Sequence, residues 1–231
     1  MEARISDRTM ALFDLDDTLV DRRAAFRKWS EEFVRDRGLD GAALDVLLDI
    51  DTHHSGPRGG FFDRAVAVLG LSESPQRLWA GYRRRMPELV TCRPADLDAL
   101  RRLRRAGWRI GIVTNGAADN QLGKIRRTGL DALVDGWCVS GEVGIRKPDP
   151  EIFRLAARRC GMSTEDGGWV IGDDPVLDIA GGRAAGLRTI WLRTGAAPWP
   201  AGPVPDATVG SVAEAVAVLL GPDCAVAHPD R

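Results

Sequence analysis

The chain has 231 residues, 44% of them hydrophobic and 28% charged, and carries a formal net charge of -1. That length supports a sizeable core, with one α/β domain plus an insertion as the natural organisation, and the composition excludes a disordered or fibrous chain. A near-zero charge argues against a general nucleic-acid binder, which needs a surplus of Lys and Arg on one face.

The N-terminus opens with charged residues and reaches its first apolar stretch only at Met10, without the apolar core of a signal peptide, and no later run is long enough to span a bilayer. A cytoplasmic protein with no membrane partner is expected. Cys92, Cys138, Cys160 and Cys224 form no C-x-x-C pair, so free thiols in a reducing compartment are expected as well.

Thr9 to Phe13 is a short apolar run that stops at Asp14. Trp108 to Val113 stops at Thr114-Asn115-Gly116, Trp169 to Ile171 at Gly172-Asp173-Asp174, and Thr189 to Leu192 at Arg193; Gly136 to Val139 and Ala207 to Val209 are two weaker runs. Apolar runs that end in polar or glycine-rich residues and are followed by helical periodicity predict βα units and a parallel sheet.

Between residues 21 and 91 the strands give way to helical stretches: Ala24 to Arg37, Ala42 to Ile50, Phe61 to Leu69 and Pro75 to Met86. The expected organisation is a core of residues 1–20 and 92–220, a helical cap of residues 21–91, and a flexible tail at 221–231. Leu97, Leu100 and Leu103 alternate with Arg101, Arg102, Arg104 and Arg105, which predicts a helix with one apolar stripe and a solvated basic face. Asp51, His53, His54, Arg58 and Arg64 gather in the cap, where a water-facing loop is the plainer reading; Phe61 and Phe62 read as packing.

In parallel sheets of this kind ligands bind outside the carboxyl ends of the strands, so residues following separate strands converge on one site. Asp14-Leu15-Asp16-Asp17-Thr18 supplies two carboxylates two positions apart at a strand's end. One carboxylate can attack phosphorus while the other protonates the departing alkoxide and later activates water. An acidic turn that merely caps a helix is the plainer alternative.

Thr114 and Asn115 put a hydroxyl and turn amides where phosphate oxygens could be held, or else form an ordinary turn. Lys147, just ahead of a helix that Pro148 and Asp149 are suited to start, is one of three lysines, with Lys28 and Lys124, in a chain that otherwise uses arginine. A compact ammonium there suits a transferred phosphoryl group. Asp173, with Asp14, offers the oxygens Mg²⁺ prefers; Asp174 is placed to cap the next helix, and Asp178 follows it.

Taken in this order, the four segments resemble the four motifs of the haloacid dehalogenase-like (HAD) hydrolase superfamily over residues 9 to about 209. The resemblance implies a Rossmann-like α/β core with a helical C1 cap inserted after the first strand. It makes Asp14 the nucleophile that becomes a phosphoaspartate, and Asp16 the general acid and base whose backbone carbonyl also ligates Mg²⁺. It gives Thr114 and Lys147 to the phosphate, beside the Asn115 that the turn itself suggests, Asp173 to the metal, and Asp178 to the orientation of Lys147 or a metal-bound water.

The dehalogenases of this family lack the second aspartate of the first motif, so Asp16 favours phosphate-ester hydrolysis. The expected protein is a Mg²⁺-dependent phosphatase of a small phosphorylated metabolite, monomeric or homodimeric. A phosphomutase, a 2-haloacid dehalogenase and a non-catalytic binding protein are the alternatives. Two positions depart from many relatives: Leu177, where a polar residue is common, and Asp17, where glycine is.

Overall fold

The computed structural model describes residues 9–54, 56, 58–193, 199 and 202–221. Six strands, β1 (Met10–Phe13), β2 (Arg109–Thr114), β3 (Gly136–Val139), β4 (Trp169–Gly172), β5 (Arg188–Leu192) and β6 (Ala207–Val209), form one parallel sheet in the order β3-β2-β1-β4-β5-β6. The winding runs outward from β1 to β3, then crosses back to β4 on the other side of β1. That reversal places the crevice used for ligands in open α/β sheets at the carboxyl end of β1.

All four residues of β1 are buried, as a strand covered on both faces requires. Successive side chains nevertheless go to different cores. Ala11 and Phe13 pack in the cluster that holds Leu100 and Leu103 of α5 (Pro94–Arg105) and Val212, Val216 and Leu219 of α10 (Val212–Leu219). Met10 and Leu12 pack instead with Ile152, Phe153, Ala156 and Ala157 of α8 (Pro150–Arg159). On α5 the leucine stripe is inward and Arg101, Arg102, Arg104 and Arg105 are exposed, as their spacing predicts.

Four helices separate β1 from α5: α1 (Arg22–Asp36), α2 (Ala42–His53), α3 (Gly59–Leu69) and α4 (Pro75–Leu89). Asp21 accepts the Ala24 N–H at 2.8 Å and so starts α1, while Ser74 accepts from the Arg77 N–H and Pro75 opens the first turn of α4. Their shared interior is aromatic. Phe26, Trp29, Phe61, Phe62 and Tyr82 are all buried, with Phe61 meeting Phe26 edge-on at 5.4 Å and Phe62 at 4.9 Å.

The remaining α-helices are α6 (Ala118–Arg127), α7 (Ser140–Val143) and α9 (Gly181–Ala184), with a π-helical turn at Pro175–Ala180 and 3-10 turns at Leu130–Ala132 and Thr164–Asp166. Helix α4 lies against α6 at close range: a Cβ on Gly123 would stand 2.7 Å from Pro87 Cγ, so only glycine admits this approach. Among the described residues no helix is long and apolar enough to cross a membrane. Cys92, Cys138 and Cys160 are free thiols; Cys224 and all of the expected tail after Gly221 lie outside the described residues.

Candidate active site

Asp14, Thr114 and Asp173 follow or end β1, β2 and β4, so the sheet brings them to one edge, and Lys147 joins them from the loop that follows β3 and α7. The Asp14 N–H extends the ladder by one bond to Ile171 O at 2.9 Å, which fixes the residue before the chain turns away. Lys147 Nζ then donates to Asp14 Oδ1 at 2.5 Å and to Asp178 Oδ1 at 2.6 Å, with all three residues buried. Carboxylate oxygens of Asp14, Asp173 and Asp178 lie within 4.8 Å of one another.

Each member is held from behind. Asn115 accepts the Lys147 N–H at Oδ1 (2.9 Å) and donates from Nδ2 to the Lys147 carbonyl (3.0 Å), pinning that peptide at the cis Lys147–Pro148 bond. This occupies the carbonyl oxygen of Asn115 and one of its N–H groups, leaving one N–H for the phosphate role expected of it. Asp178 spends Oδ1 on Lys147 and Oδ2 on the Asp174 N–H at 3.0 Å. Asp174 caps the π-helical turn through bonds from the Val176 and Leu177 N–H groups, both 2.8 Å, as the sequence predicts.

Gly172 is what lets Asp178 fold back into the cluster, because a Cβ there would stand 2.3 Å from the Asp178 carboxylate. Gly172→Ala is therefore expected to displace Asp178 from Lys147, lowering kcat by tenfold or more and Tm by several degrees. Parallel melting and steady-state assays of the variant check both.

Three carboxylates face one buried ammonium, with Arg23 3.9 Å from Asp173, so the carboxylates outnumber the cations around them. Burial acts first on Asp14 and raises its carboxyl well above the ordinary range; Lys147 opposes this, and the charges of Asp178 and Asp173 reinforce it. For Asp173 burial, Asp178 and Asp17 together push the carboxyl up to about 7. Lys147 goes the other way: burial would discharge it, but Asp14 and Asp178 hold its ammonium protonated above the usual lysine range.

Asp16 lies in a second, adjoining group. Lys124 Nζ donates to its two oxygens at 2.7 and 2.8 Å, and Gln121 Nε2 donates to Asp16 Oδ2 at 3.0 Å and to Thr114 Oγ1 at 2.6 Å. Burial would raise the Asp16 carboxyl, yet Lys124, Arg22 and Gln121 outweigh it and keep it below the ordinary range. Asp17 adopts a left-handed backbone, φ 61°, where glycine is the unstrained residue. Its carboxylate accepts from the Arg23 N–H at 3.0 Å and from Arg22 Nε at 3.1 Å, bonds that a glycine would forgo.

A sequence model of the haloacid dehalogenase-like hydrolases matches residues 9–186, most of the chain. The chain belongs to that family. It is 32% identical to a phosphoserine phosphatase of Thermus thermophilus over 225 residues, spanning 92% of this chain and 83% of the relative. It is 34% identical to a pyrimidine 5′-nucleotidase of Escherichia coli, over 87% of this chain and 93% of the relative. Its fold is shared with a HAD hydrolase of Bacillus subtilis described as bound to magnesium, at TM-score 0.73 and 24% identity over 91% of this chain and 98% of that one.

As a HAD hydrolase the chain is an enzyme, with helices α1 to α4 in the place of the family's C1 cap. The cap loop departs from expectation. His53 and Arg64 face water, but Asp51 and Arg58 turn inward. Arg58 pairs with Asp51 and lies over the rings of Phe26, Phe61 and Tyr82 at 5.2–5.6 Å, while Arg22 grips Asp51 at 3.0 and 3.2 Å. A polar cluster beside glycines reads as solvent-facing; the buried aromatic floor that holds these charges is visible only in three dimensions.

Gln121 and Lys124 are the residues that sequence reasoning passes over. The signal for Lys124 was present, since the rarity of lysine that singles out Lys147 applies to it equally. Gln121 carried none, because a glutamine on an amphipathic helix resembles any other surface residue.

Proposed function

We propose that this HAD hydrolase is a Mg²⁺-dependent phosphatase of small phosphomonoesters and works through a phosphoaspartate on Asp14. The observation that supports it most directly is the contact of Lys147 with both Asp14 and Asp178 inside a cluster whose carboxylates outnumber its cations. A divalent cation fits that deficit and an all-oxygen donor set. Among the described residues no hydrogen-bond donor reaches the Asp173 carboxylate, whose nearest cation is Arg23 at 3.9 Å. Both oxygens of Asp178 are engaged, so Asp14, Asp173 and the Asp16 carbonyl would hold the ion, and Asp178 orients Lys147.

Mg²⁺, when bound there, supplies positive charge against the negative charge that develops on the phosphoryl oxygens. An Asp14 oxygen forms the new bond to phosphorus as the bond to the ester oxygen breaks. Lys147 and the Thr114 hydroxyl bind the transferring phosphoryl group. An arriving phosphate places negative charge beside Asp16 and favours its taking up a proton, which it then gives to the departing alkoxide. In the second step Asp16, ionised again, takes a proton from water; that water attacks phosphorus and releases phosphate from Asp14.

The retained acid Asp16 favours this reading over dehalogenation, because an alkoxide gains roughly 10²- to 10⁴-fold from a positioned acid and a halide gains nothing. The two named phosphatase relatives act on different substrates, so neither name transfers. A panel of phosphorylated sugars, nucleotides and short acids, assayed for phosphate release, is expected to yield at least one Mg²⁺-dependent substrate whose turnover stops with EDTA. Turnover only in the presence of a sugar bisphosphate would indicate the mutase, and halide release without Mg²⁺ the dehalogenase.

A further inference from the structure

Asp16 is the group on which the proposed reaction depends for its proton, and two side chains of α6 determine where that group lies. Lys124 and Gln121 stand three residues apart on one face of the helix. Each is 2% exposed. Together they make three donor contacts from ammonium and amide to the Asp16 carboxylate, and the same Gln121 nitrogen reaches Thr114 Oγ1 at 2.6 Å. Because the Thr114 hydroxyl accepts there, its own hydrogen remains to be donated to a phosphoryl oxygen.

A buried ammonium is a poor device for stability alone, since desolvation offsets much of the attraction of its pair. Among the described residues Asp16 is the only ion-pair partner of Lys124. Helix α6 is itself anchored: Gly123 lies against Pro87 of α4, and Arg83–Asp119 and Arg127–Glu88 pairs cross between the same helices at 3.2 and 2.8 Å. The two side chains thus project from a fixed platform onto a proton donor in the turn after β1 and a phosphate binder at the end of β2.

We propose that Gln121 and Lys124 form a bracket that positions the Asp16 carboxyl and the Thr114 hydroxyl relative to one another, and so aligns the acid with the departing oxygen. The inference rests on the phosphatase reading. In the first step the phosphorus–ester bond breaks as the Asp14–phosphorus bond forms, and the Asp16 proton passes to the ester oxygen. A short-chain alkoxide cannot leave well without that proton. p-Nitrophenolate can, so the two esters separate acid alignment from every other requirement of the site.

The experiment compares kcat/KM for a short alkyl phosphate and for p-nitrophenyl phosphate in Mg²⁺, with wild type, Lys124→Met and Gln121→Leu. This parameter reports the steps up to phosphoryl transfer, and the ratio between the two esters in one preparation does not depend on how much of it is folded. The alkyl ester is expected to lose about 10²-fold in Lys124→Met, at least ten times the loss for the aryl ester, with a smaller split of the same sign in Gln121→Leu. Equal losses for both esters would overturn the bracket and leave a structural role. A wild type that hydrolyses neither these esters nor any phosphomonoester of the panel would instead end the phosphatase reading, and the bracket with it.

Discussion

Asp14→Asn is expected to lower phosphate release by at least ~10⁴-fold on any substrate the enzyme accepts, because it removes the attacking oxygen, and the neighbouring carboxylates are committed to the metal or to other side chains. Asp178 is held by Lys147 and the Asp174 N–H. Asp16 is held by Lys124 and Gln121. The fold should survive the change, since an amide is close in size to a carboxylate and Lys147 retains Asp178 at 2.6 Å. Removing one of three crowded carboxylates also relieves repulsion, so the metal-free variant should melt no lower than wild type. Phosphate release and thermal melting of the same preparation separate lost chemistry from lost structure.

Asp173→Asn should produce the second large effect, with opposite signs in the presence and absence of metal. In the metal-free protein the Asp173 carboxyl is pushed up to about 7 by burial, Asp178 and Asp17. Between an ordinary carboxylate pKa of about 3.9 and that value the folded state binds more protons than the unfolded chain, so stability falls as pH rises through the window and stays low above it. The asparagine removes that slope. At pH 8 the metal-free variant should melt higher than metal-free wild type by on the order of 5 °C or more, since a raised carboxyl costs about 1.4 kcal/mol per unit and each kcal/mol moves Tm by roughly 2–4 °C at this size.

Added Mg²⁺ at about 100 times its Kd should stabilise wild type by about 2.7 kcal/mol and the variant hardly at all. Turnover should be lost in the variant. A wild type whose melting at pH 8 does not respond to Mg²⁺, or a variant that responds equally, would remove Asp173 from the metal.

The architecture was legible because the signals that encode it are local. Each apolar run that stops at an Asp, Thr or Gly became a strand within one or two residues of its expected bounds, and β3 and β6 match theirs. The convergence of Asp14, Lys147 and Asp173 also followed, since a parallel sheet places the residues after its strands on one edge. What the sequence did not reveal depends on side chains from distant elements meeting. Lys124 reaches Asp16 across 108 residues and Arg85 reaches Glu32 across 53. Arg58 lies half-buried against rings from three different helices. Periodicity marks such residues as one face of a helix, and says nothing of what the opposing face presents.

The proposal that Asp14 itself carries the phosphoryl group is tested most directly by rapid acid quench. Wild-type enzyme, Mg²⁺ and a radiolabelled phosphomonoester from the panel are mixed for less than one turnover, and the denatured protein is digested and mapped. Label on the peptide containing Asp14, released by mild alkali as an acyl phosphate and missing from Asp14→Asn, is the result predicted. Steady phosphate release with no protein-bound label at any quench time, or label on another residue, would contradict it.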